Sequence, residues 1–439
     1  MEQANLIPTL ARGEVIVCGG GPAGIAAALA AARLGARTIL LEQTGCCGGM
    51  ATSGLVPAII HLSDRKHWIG SGLPLELFRD MCHRMGRNEV HPIWQHINPE
   101  ILKRLLDEKL AEAGVELFLE LKLAAVECRN GHVESILAAG CAGLRRIKGH
   151  IFIDATGDGL LSMLSGAPYE CGDVDGRTMG STLCVQYSNI DLERMRDADR
   201  RGEGASTLWF RHKAEIPLEE YHIVGISEYG NGTGSGNLGH VYGINPVEER
   251  DRTHGYIEGR RIAEIIHNFY RRFVPGYETS DLTATAALLG IRESRRIECD
   301  YRLTLDDYQA RRHFEDEIGV FCYPIDIHAS STDPAEQKAV ERRMAETAYL
   351  PGENYGIPYR ALTVRNLDNL LVAGRCISCD RAMQSSIRIM TAAMITGRAA
   401  GTAAAICSGG RVRDLSIKEL QRQLLNNGAF LSEQKTIAV

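Results

Sequence analysis

The sequence predicts an α/β protein that begins with a Rossmann-like nucleotide-binding unit, and three observations lead to this prediction. A short apolar strand, Val15–Cys18, is followed at once by a G-x-G-x-x-G turn, Gly19–Gly24. An alanine-rich helix, Ile25–Leu34, comes next. A second strand, Thr38–Leu41, then ends at an acidic residue, Glu42. This order of elements is typical of dinucleotide-binding βαβ units.

Each residue of this pattern has a physical role. Gly19 permits the tight turn, Gly21 lets backbone N–H groups approach a pyrophosphate, and Gly24 lets the helix pack closely on the strand. The N-terminus of the helix favours the anion. Glu42 is expected to accept hydrogen bonds from ribose hydroxyls and to repel a 2′-phosphate. The alternative, an ordinary glycine-rich loop, is less favoured because all these elements occur together.

The composition excludes several classes of protein. The chain has 439 residues, of which 44% are apolar and 24% charged, so it can form two or three interleaved domains with buried cores. A net charge of −6 without long basic blocks argues against nucleic-acid binding. The longest apolar stretches, Ile25–Ala32 and Ala399–Ile406, are shorter than the ~20 residues of a membrane span. Thirteen scattered cysteines and no secretory segment favour a cytoplasmic location.

A second glycine-rich turn, Gly45–Thr52, follows Glu42 where a nicotinamide-dependent dehydrogenase would proceed to its next helix. FAD needs such a segment, because its longer pyrophosphate, ribityl and isoalloxazine chain must be held by more backbone. The adjacent glycines Gly48 and Gly49 permit a close approach. The sequence therefore predicts FAD as the dinucleotide.

These motifs and several later segments resemble a known family. The chain is similar to the FAD-dependent oxidoreductases of the glutathione-reductase type, and specifically to the FAD oxidoreductases loosely labelled "xanthan lyase-like". The resemblance covers most of residues 14–431 and is thinnest from about 190 to 280. Besides the two glycine turns and Glu42, it is carried by Ile151–Gly159, Gly290–Ile297, Tyr323–His328, Ile357–Arg360, Asn369–Ser378, Arg388–Met390 and Gly397–Gly401.

The resemblance implies a Rossmann-like FAD-binding domain of the glutathione-reductase type with an inserted α+β substrate domain. It also implies a set of FAD-binding residues in the glycine turns, the β-meander, the A-T-G-D segment and the closing block. They are Gly19, Gly21, Pro22, Ala23, Gly24, Glu42, Gln43, Gly48, Gly49, Met50, Ala51, Thr52, Val126, Ala155, Thr156, Gly157, Asp158, Gly374, Arg375, Ile389 and Met390.

Patterning along the chain predicts a discontinuous FAD-binding domain, residues 1–164 and 351–439. An amphipathic helix from Asn98 to Ala113 has Asn98 as its cap and Pro99 in its first turn. Residues 115–137 alternate and turn at Asn130-Gly131, which predicts a β-meander. A strand at 370–373 and a long helix at 385–407 close the domain. The N-terminal dipole of that helix would stabilise negative charge on reduced flavin.

The substrate domain is predicted at residues 165–350. It should contain a strand near Ser181–Tyr187, a glycine-rich loop at Gly230–Gly239 and a long helix at Val247–Phe273. His240 lies at the end of the loop and is a candidate for substrate contact. The loop itself is either a mobile lid or a surface turn.

Catalysis needs a proton donor or acceptor and charged groups beside the flavin. His328 ends an apolar run and suits a general base or a substrate hydrogen bond; the alternative is a structural histidine. On a helix, Arg292 and Arg295 would share a face and clamp a carboxylate. The alternative for this pair is an ion-pair cluster with Glu293 or Glu298.

Two further arginines lie next to the predicted flavin segments. Arg375 follows the last strand and Arg388 opens the closing helix. Either can stabilise the anionic edge of reduced flavin or anchor loop carbonyls. Tyr323, Tyr359 and Arg360 are candidates for the substrate pocket, with ordinary packing as the alternative.

The cysteines support a rival hypothesis. Cys376 and Cys379 have the C-x-x-C spacing of dithiol redox centres, and Cys46-Cys47 adjoins the second glycine turn. Electrons could pass between flavin and a disulfide, or Cys46 or Cys47 could link the flavin covalently. The default is buried, inert thiols. The sequence has no compact metal-ligand signature, so no metal is expected.

The function predicted from the sequence is hydride transfer between a small polar organic substrate, with a carboxylated one as a candidate, and flavin N5. No second G-x-G-x-x-G occurs between a strand and a helix, so oxygen, a quinone or a partner protein is the expected electron acceptor. The alternatives are a thiol–disulfide flavoreductase that uses Cys376 and Cys379, and a non-catalytic flavin-binding subunit. The sequence leaves assembly into a homo-oligomer open.

Overall fold

The computed structural model describes residues 7–221, 223, 225–407 and 409–432. Its buried apolar side chains form two clusters. The first combines residues 11–167, except for Leu55, with residues 297–429, and the second combines Leu55 with residues 183–291. The described part of the chain is therefore built around two hydrophobic cores.

The helices and strands have the following bounds. The strands are β1 (Thr9–Arg12), β2 (Val15–Cys18), β3 (Thr38–Leu41), β4 (Ala58–Ile60), β5 (Trp94–His96), β6 (Glu116–Phe118), β7 (Lys122–Arg129), β8 (His132–Gly140), β9 (Gly143–Lys148), β10 (Ile151–Asp154), β11 (Tyr169–Cys171), β12 (Val185–Ser188), β13 (Ser227–Gly230), β14 (Thr233–Gly236), β15 (Asp281–Thr285), β16 (Arg295–Ile297), β17 (Glu317–Phe321), β18 (Tyr355–Pro358) and β19 (Leu370–Val372). The helices are α1 (Pro22–Arg33), α2 (Leu73–Arg84), α3 (Pro99–Glu112), α4 (Leu160–Leu164), α5 (Leu192–Arg200), α6 (Ala205–Arg211), α7 (Glu249–Phe273), α8 (Leu305–Gln309), α9 (Pro334–Thr347), α10 (Arg381–Ile387), α11 (Met390–Ile406) and α12 (Ile417–Asn426).

The central sheet has the strand order β19-β10-β2-β3-β6, and its neighbouring strands all run parallel. Parallel strands end at the same edge of a sheet. The residues that follow β2, β3, β10 and β19, which are Gly19, Glu42, Ala155 and Ala373, therefore come together there. This sheet confirms the predicted α/β fold with a Rossmann-like core.

Helices α1 and α11 pack against each other with little space between their backbones. A Cβ placed at Gly397 would lie 2.0 Å from the carbonyl oxygen of Ala23, and one at Gly401 would lie 2.0 Å from that of Ala27. Only glycine fits at these two positions. The contact joins the first helix of the sheet to the last long helix of the chain.

Other predictions for the FAD-binding side hold. The side chain of Asn98 accepts from the N–H groups of Glu100 and Ile101, both at 3.1 Å, and so caps α3 as expected. Strands β7 and β8 form a hairpin whose turn residues, Asn130 and Gly131, have φ of 50° and 76°. The sequence analysis missed β1, a short strand that pairs in parallel with β9.

The predicted glycine-rich loop at Gly230–Gly239 is wrong. Most of this segment belongs to the hairpin of β13 and β14, which lies in a four-stranded antiparallel sheet of order β13-β14-β12-β15. A Cβ at Gly234 would lie 2.5 Å from the Cγ2 atom of Ile226. The glycine is therefore needed for close packing, and packing rather than mobility explains the glycine content.

The predicted single helix at 385–407 is also wrong. The chain forms α10 and then α11, with a 91° bend between them at Arg388 and Ile389. Arg388 therefore lies in the break and does not open a helix. The N-terminus of the second helix begins at Met390.

No single helix in the described residues is long and apolar enough to cross a membrane. Helices α10 and α11 meet the length and composition criterion only when they are counted together across their bend.

Candidate functional site

A cavity of about 1080 Å³ opens at the carboxyl edge of the central sheet. Residues of the two glycine turns, Glu42 and the A-T-G-D segment line one part of it. Polar residues from the second half of the chain, including His240, Arg292, Asp326, His328 and Arg388, line another part. The volume slightly exceeds the roughly 300–1,000 Å³ of small-molecule pockets, so it can hold a large cofactor and a small second molecule.

In the first glycine turn, Gly21 is the one glycine with open space beside it, and it is the position at which the sequence predicts a pyrophosphate. Gly19 has a φ of +102°, and a Cβ at Gly24 would lie 1.7 Å from the carbonyl oxygen of Gly19. By contrast, a Cβ at Gly21 would meet no atom within 4 Å. Gly21 lines the cavity at the N-terminus of α1, where backbone N–H groups and the helix dipole favour a phosphate.

Glu42 lies beside this turn with its side chain buried. One carboxylate oxygen accepts from the N–H of Gly20 at 2.7 Å, and the other accepts from the N–H and hydroxyl of Thr44 at 2.7 and 2.8 Å. Gly48, with a φ of +112°, donates its N–H to the carbonyl of Gly20 at 2.8 Å. The acid and the second glycine turn are thereby fixed against the first turn.

The buried carboxylate of Asp154 holds the A-T-G-D segment. One of its oxygens accepts from the hydroxyl of Thr156 at 2.7 Å, and the other accepts from the N–H and hydroxyl of Ser162 at 2.7 and 2.8 Å. Asp154 is an acidic residue at the end of an apolar strand, and this position is the sequence signal that indicates its role. The sequence analysis placed Asp154 in the motif without assigning it a function.

Arg375 and Asp158 form an ion pair next to the cavity, with 2.5 Å between Nη2 and Oδ1. Arg375 also donates to the carbonyl of Gly157 at 2.8 Å and to that of Ile291. The other oxygen of Asp158 pairs with Arg252 of α7. Burial acts to raise the pKa of Asp158, but the two arginines hold it below its ordinary value. The predicted cofactor residue Arg375 thus anchors loop carbonyls as well.

Arg292 is a buried guanidinium that lines the cavity. It donates to the carbonyl of Gly180 at 2.6 Å, the hydroxyl of Thr182 at 3.0 Å and the amide oxygen of Asn237 at 3.4 Å. No carboxylate of the described residues lies within ion-pair distance of it. Burial first, and Arg388 second, lower its pKa to about 10. Its charge is thus surrounded by neutral oxygens and is available to an anion.

Asp326 lies at the centre of the polar part of the cavity. Its Oδ2 atom accepts from Nη2 of Arg388 at 2.9 Å and from the hydroxyl of Tyr323 at 3.1 Å, and Nε2 of His328 lies 3.3 Å from it. Burial opposes ionisation, but His328, Arg388 and Arg292 together lower the pKa of Asp326. Nε of Arg388 is buried without a hydrogen-bond partner among the described residues.

The two histidines of the candidate set meet in this group. Nε2 of His240 lies 3.0 Å from Nδ1 of His328, and Nδ1 of His240 lies 3.0 Å from Oε1 of Glu220. Burial lowers the pKa of both histidines, so both are neutral near pH 7. His240 is buried, which rules out the predicted surface turn. The sequence analysis assigned no role to Asp326, although Asp326 lies in the Tyr323–His328 segment, and it did not identify Glu220 or Thr182, which no motif marks.

The structure separates Arg295 from Arg292. The two do not share a helix face, because residues 291–294 are irregular and Arg295 begins β16. Arg295 lines the cavity, donates to the carbonyl of Asp158 at 3.2 Å and lies over the ring of Tyr169. The predicted ion pair with Glu293 is made by Arg296 instead, at 2.8 Å.

Other candidates lie outside the cavity lining of the described residues. The hydroxyl of Tyr359 donates to the carbonyl of Val412 at 2.8 Å, and Arg360 forms a half-exposed ion pair with Asp316. Both are therefore explained by packing and surface pairing. Some of the predicted FAD-binding residues also lie outside the described lining of the cavity. They are Gly24, Gly48, Ala51, Thr52 and Val126.

The geometry does not favour the thiol hypothesis. Cys376 and Cys379 are buried and free, and their Sγ atoms contact the carbonyls of Ala373 and Ile377. Burial raises the pKa of both thiols, which disfavours the reactive thiolate. Neither they nor Cys46 and Cys47 belong to the described lining of the cavity.

Comparison with known proteins identifies the family. A model of the family "FAD dependent oxidoreductase" matches residues 14–424. The chain belongs to this family. It is an FAD-dependent enzyme, and its cofactor is FAD. No curated protein matches the chain at a significant level.

Solved structures that the chain resembles include the following three. A geranylgeranyl bacteriochlorophyll reductase-like protein from Thermoplasma acidophilum is 12% identical, with a TM-score of 0.44 over 97% of this chain and 86% of that one. The p-nitrophenol 4-monooxygenase PnpA from Pseudomonas putida DLL-E4 is 12% identical, with a TM-score of 0.44 over 98% and 88%. A flavoprotein/dehydrogenase from Cytophaga hutchinsonii is 15% identical, with a TM-score of 0.43 over 90% and 78%.

The residues present fit FAD. The open space at Gly21 suits the pyrophosphate, and the buried Glu42 beside it suits a ribose. The same cavity is also lined by Met50, Gly374 and the N-terminus of α11, and it includes the polar group around Asp326. Gly374 has a φ of +83°, which favours glycine, and a Cβ there would make a tight contact of 3.0 Å with Cβ of Ala23.

Proposed function

We propose that the enzyme oxidises a small polar organic substrate that carries a carboxylate, with hydride transfer to flavin N5. This proposal rests on one observation: a guanidinium without a carboxylate partner among the described residues and a neutral imidazole line the same cavity. Arg292 supplies the cation, and His328 supplies the base. Bound FAD supplies the two-electron acceptor.

The role of Arg292 follows from its surroundings. Three neutral oxygens fix its orientation without cancelling its charge. A substrate carboxylate would complete the ion pair and would be held in a defined position. The lowered pKa of Arg292, about 10, still leaves it charged at neutral pH.

The role of His328 is to accept the proton that a hydroxyl or amine must lose when its carbon is oxidised. His328 is neutral near pH 7 because burial and Arg292 lower its pKa. Asp326 lies 3.3 Å from its Nε2 atom and would stabilise the imidazolium that forms. Arg388 and Tyr323 hold Asp326 in place for this purpose.

The finer family assignment and the domain division are also proposals. The parallel sheet, the separate meander β7–β9 and the return of the chain through β19 support a glutathione-reductase-type domain of the "xanthan lyase-like" group. We propose a substrate domain within residues 165–350, with one change from the sequence prediction. Residues from about 297 to 325 pack in the first hydrophobic cluster and are assigned to the FAD-binding domain.

The test is an anaerobic screen of the FAD-loaded protein, read by bleaching of the flavin absorbance. The candidates are small 2-hydroxy acids and amino acids, each paired with its uncharged amide. Bleaching by acids and not by their amides is expected. Bleaching by the amides alone would contradict the role of Arg292, and rapid, saturable bleaching by NADH would contradict the predicted absence of a nicotinamide pathway. Reoxidation by oxygen, a quinone or a partner protein is then compared directly.

A further inference from the structure

Asn237 contacts the guanidinium of Arg292 and directly follows strand β14. This strand pairs with β12 so that Gly236 is opposite Val185. The next position in the same register places Asn237 beside Cys184, which precedes β12. The Oδ1 atom of Asn237 accepts from Nη2 of Arg292 at 3.4 Å and from Sγ of Cys184 at 3.8 Å. Asn237 is half-buried and lines the cavity.

These two contacts decide which way the amide of Asn237 points. A guanidinium only donates hydrogen bonds, so the amide atom that faces Arg292 must be the oxygen. Burial raises the pKa of the Cys184 thiol to about 12, so Sγ carries its proton and is also a donor. Nδ2 of Asn237 therefore faces neither partner. Its two N–H groups have no hydrogen-bond partner among the described residues, so Asn237 can offer them to the cavity that it lines.

The guanidinium of Arg292 also has unused donors. Nη1 donates both of its hydrogens, one to the carbonyl of Gly180 and one to the hydroxyl of Thr182. Nη2 donates one of its hydrogens to Asn237. The N–H on Nε and the second hydrogen on Nη2 have no partner in the part of the chain that the structure describes.

The unused hydrogen-bonding groups of Arg292 and Asn237 are thus all donors, and they lie beside a positive charge. The ligand that matches them carries a negative charge and only accepts hydrogen bonds, as a carboxylate does. One carboxylate oxygen can accept from Arg292 and the other from Nδ2 of Asn237. The two donors are close together because Nδ2 and the Oδ1 atom that contacts Arg292 are bonded to the same carbon. An ammonium group only donates and repels the guanidinium, so this position excludes it.

We propose that Asn237 is a specificity-determining residue, which binds one oxygen of the substrate carboxylate while Arg292 binds the other. This rests on the proposed function, in which Arg292 binds a carboxylated substrate. Donors on two side chains fix the rotation of the carboxylate as well as its position, and so they orient the neighbouring carbon that is oxidised. The clamp that the sequence predicted between Arg292 and Arg295 is replaced by one between Arg292 and Asn237.

The experiment measures the binding of propionate and its uncharged amide, propionamide, to the FAD-loaded protein by calorimetry. Propionate has neither a hydroxyl nor an amine, so its binding is measured without oxidation. The unmodified protein is expected to bind propionate at least about 10-fold more tightly than propionamide. No binding of propionate to the unmodified protein would overturn both the inference and the proposed role of Arg292.

Two substitutions of Asn237 test its role in opposite ways. Asn237→Leu removes the donors at similar size, and the Kd for propionate should rise about 10-fold. Asn237→Asp places a carboxylate beside Arg292 that competes with the ligand, and the Kd should rise at least about 100-fold. Asn88→Asp is the matched control, because Asn88 is exposed and lies outside the described cavity lining. Unchanged binding in both Asn237 variants, or an equal loss in Asn88→Asp, would overturn the proposal.

A crystal structure of the unmodified, FAD-loaded protein with propionate is a second test, which needs no folded variant. One carboxylate oxygen is expected within hydrogen-bond distance of Nδ2 of Asn237, and the other near Nε or Nη2 of Arg292. Propionate bound elsewhere, or Nδ2 of Asn237 bonded to the flavin instead, would overturn the proposal.

These results separate the inference from the proposed function. Binding of propionate is measured without turnover, so it does not depend on which compound reduces the flavin. If the Asn237 variants lose propionate but no carboxylated compound bleaches the flavin, the proposed oxidation fails alone. If carboxylated compounds bleach the flavin with the same KM in Asn237→Leu as in the unmodified protein, the inference fails alone.

Discussion

Nη2 of Arg375 lies 2.5 Å from Oδ1 of Asp158, so the loop after the last strand of the sheet is tied to the loop after β10. The same carboxylate reaches Arg252 of α7, a helix whose buried residues belong to the second core. One acidic side chain therefore links the carboxyl edge of the central sheet to a helix of the second core. The two hydrophobic cores are joined by ion pairs at this point.

The affinity for FAD should depend on the absence of a side chain at Gly21. A methyl group at Gly21 meets no protein atom within 4 Å, so Gly21→Ala is expected to leave the thermal stability of the FAD-free protein unchanged. The methyl would occupy the space of the pyrophosphate, and the Kd for FAD should rise at least 10-fold. Gly45→Ala is the control, since Gly45 also has open space but lies outside the described cavity lining. An equal rise in both variants would argue against this role of Gly21.

Arg292 should select for a carboxylate. Arg292→Met removes the charge at similar length, and the KM for a carboxylated substrate is expected to rise about 10- to 100-fold, as for the loss of a charge-assisted hydrogen bond of ~1.5–3 kcal/mol. The uncharged amide should be unaffected. Arg360→Met, which changes a half-exposed arginine paired with Asp316, should change neither value. Equal losses for acid and amide would show that Arg292 acts only in folding.

The free energy of unfolding should fall in acid because His61 is half-buried. Burial first, and Arg65 second, lower the pKa of His61 to about 4, whereas in the unfolded chain it lies near 6.5. The unfolded state therefore binds the proton more readily, and stability present above pH ~6.5 is lost as the pH falls towards 4. The free energy of unfolding of the FAD-free protein is measured in urea at pH 7.5 and pH 5.0. Between these two pH values it should fall by about 2 kcal/mol more in the unmodified protein than in His61→Gln. A loss of the same size in both would contradict the lowered pKa.

The thiols should be dispensable for electron transfer. Cys376 and Cys379 are buried and free, so the double variant with serine at both positions is expected to keep full turnover. An anaerobic dithionite titration of the unmodified protein should end at two electrons per FAD. An endpoint near four electrons would revive the disulfide hypothesis. Acid precipitation should release the yellow cofactor, and colour in the pellet would indicate a covalent link through Cys46 or Cys47.

Helix α9 should be the least protected helix at the cavity. It has no buried residue, although Gln337 and Met344 line the cavity from it. Segments with few buried contacts open locally at low free energy, so its amides should exchange with deuterium much faster than those of α11. A bound substrate is expected to slow the exchange in α9. Exchange as slow as that of α11 in the free enzyme would contradict this expectation.

Local signals in the sequence sufficed for the FAD-binding side. The glycine turn, the cap at Asn98 and the hairpin at Asn130-Gly131 each depend on interactions within a few residues, and each was predicted correctly. The glycines of β14 misled the prediction because they accommodate distant side chains such as Ile226. A composition rich in glycine does not distinguish a mobile loop from a closely packed strand.

The polar group in the cavity could be predicted only in part. His328 and Arg292 were found through a family resemblance, but their partners come from distant segments: Glu220, Thr182 and Asn237. Hydrogen bonds between such segments leave no periodic pattern in a single sequence. The predicted clamp by Arg292 and Arg295 failed for a related reason, since it assumed a helix where tertiary contacts impose an irregular turn and a strand.

The glycine contact between α1 and α11 also matters while the chain is being made. The backbone of Ala27 is covered only when Gly401 arrives, about 370 residues later in synthesis. At roughly 5–20 residues per second, this takes on the order of 20–75 s on the ribosome. During that interval the face of α1 that packs on α11 is uncovered, and β10 is paired with β2 but lacks its second partner, β19. Nascent chains of this enzyme are therefore expected to need a chaperone, or early FAD, until the last hundred residues emerge.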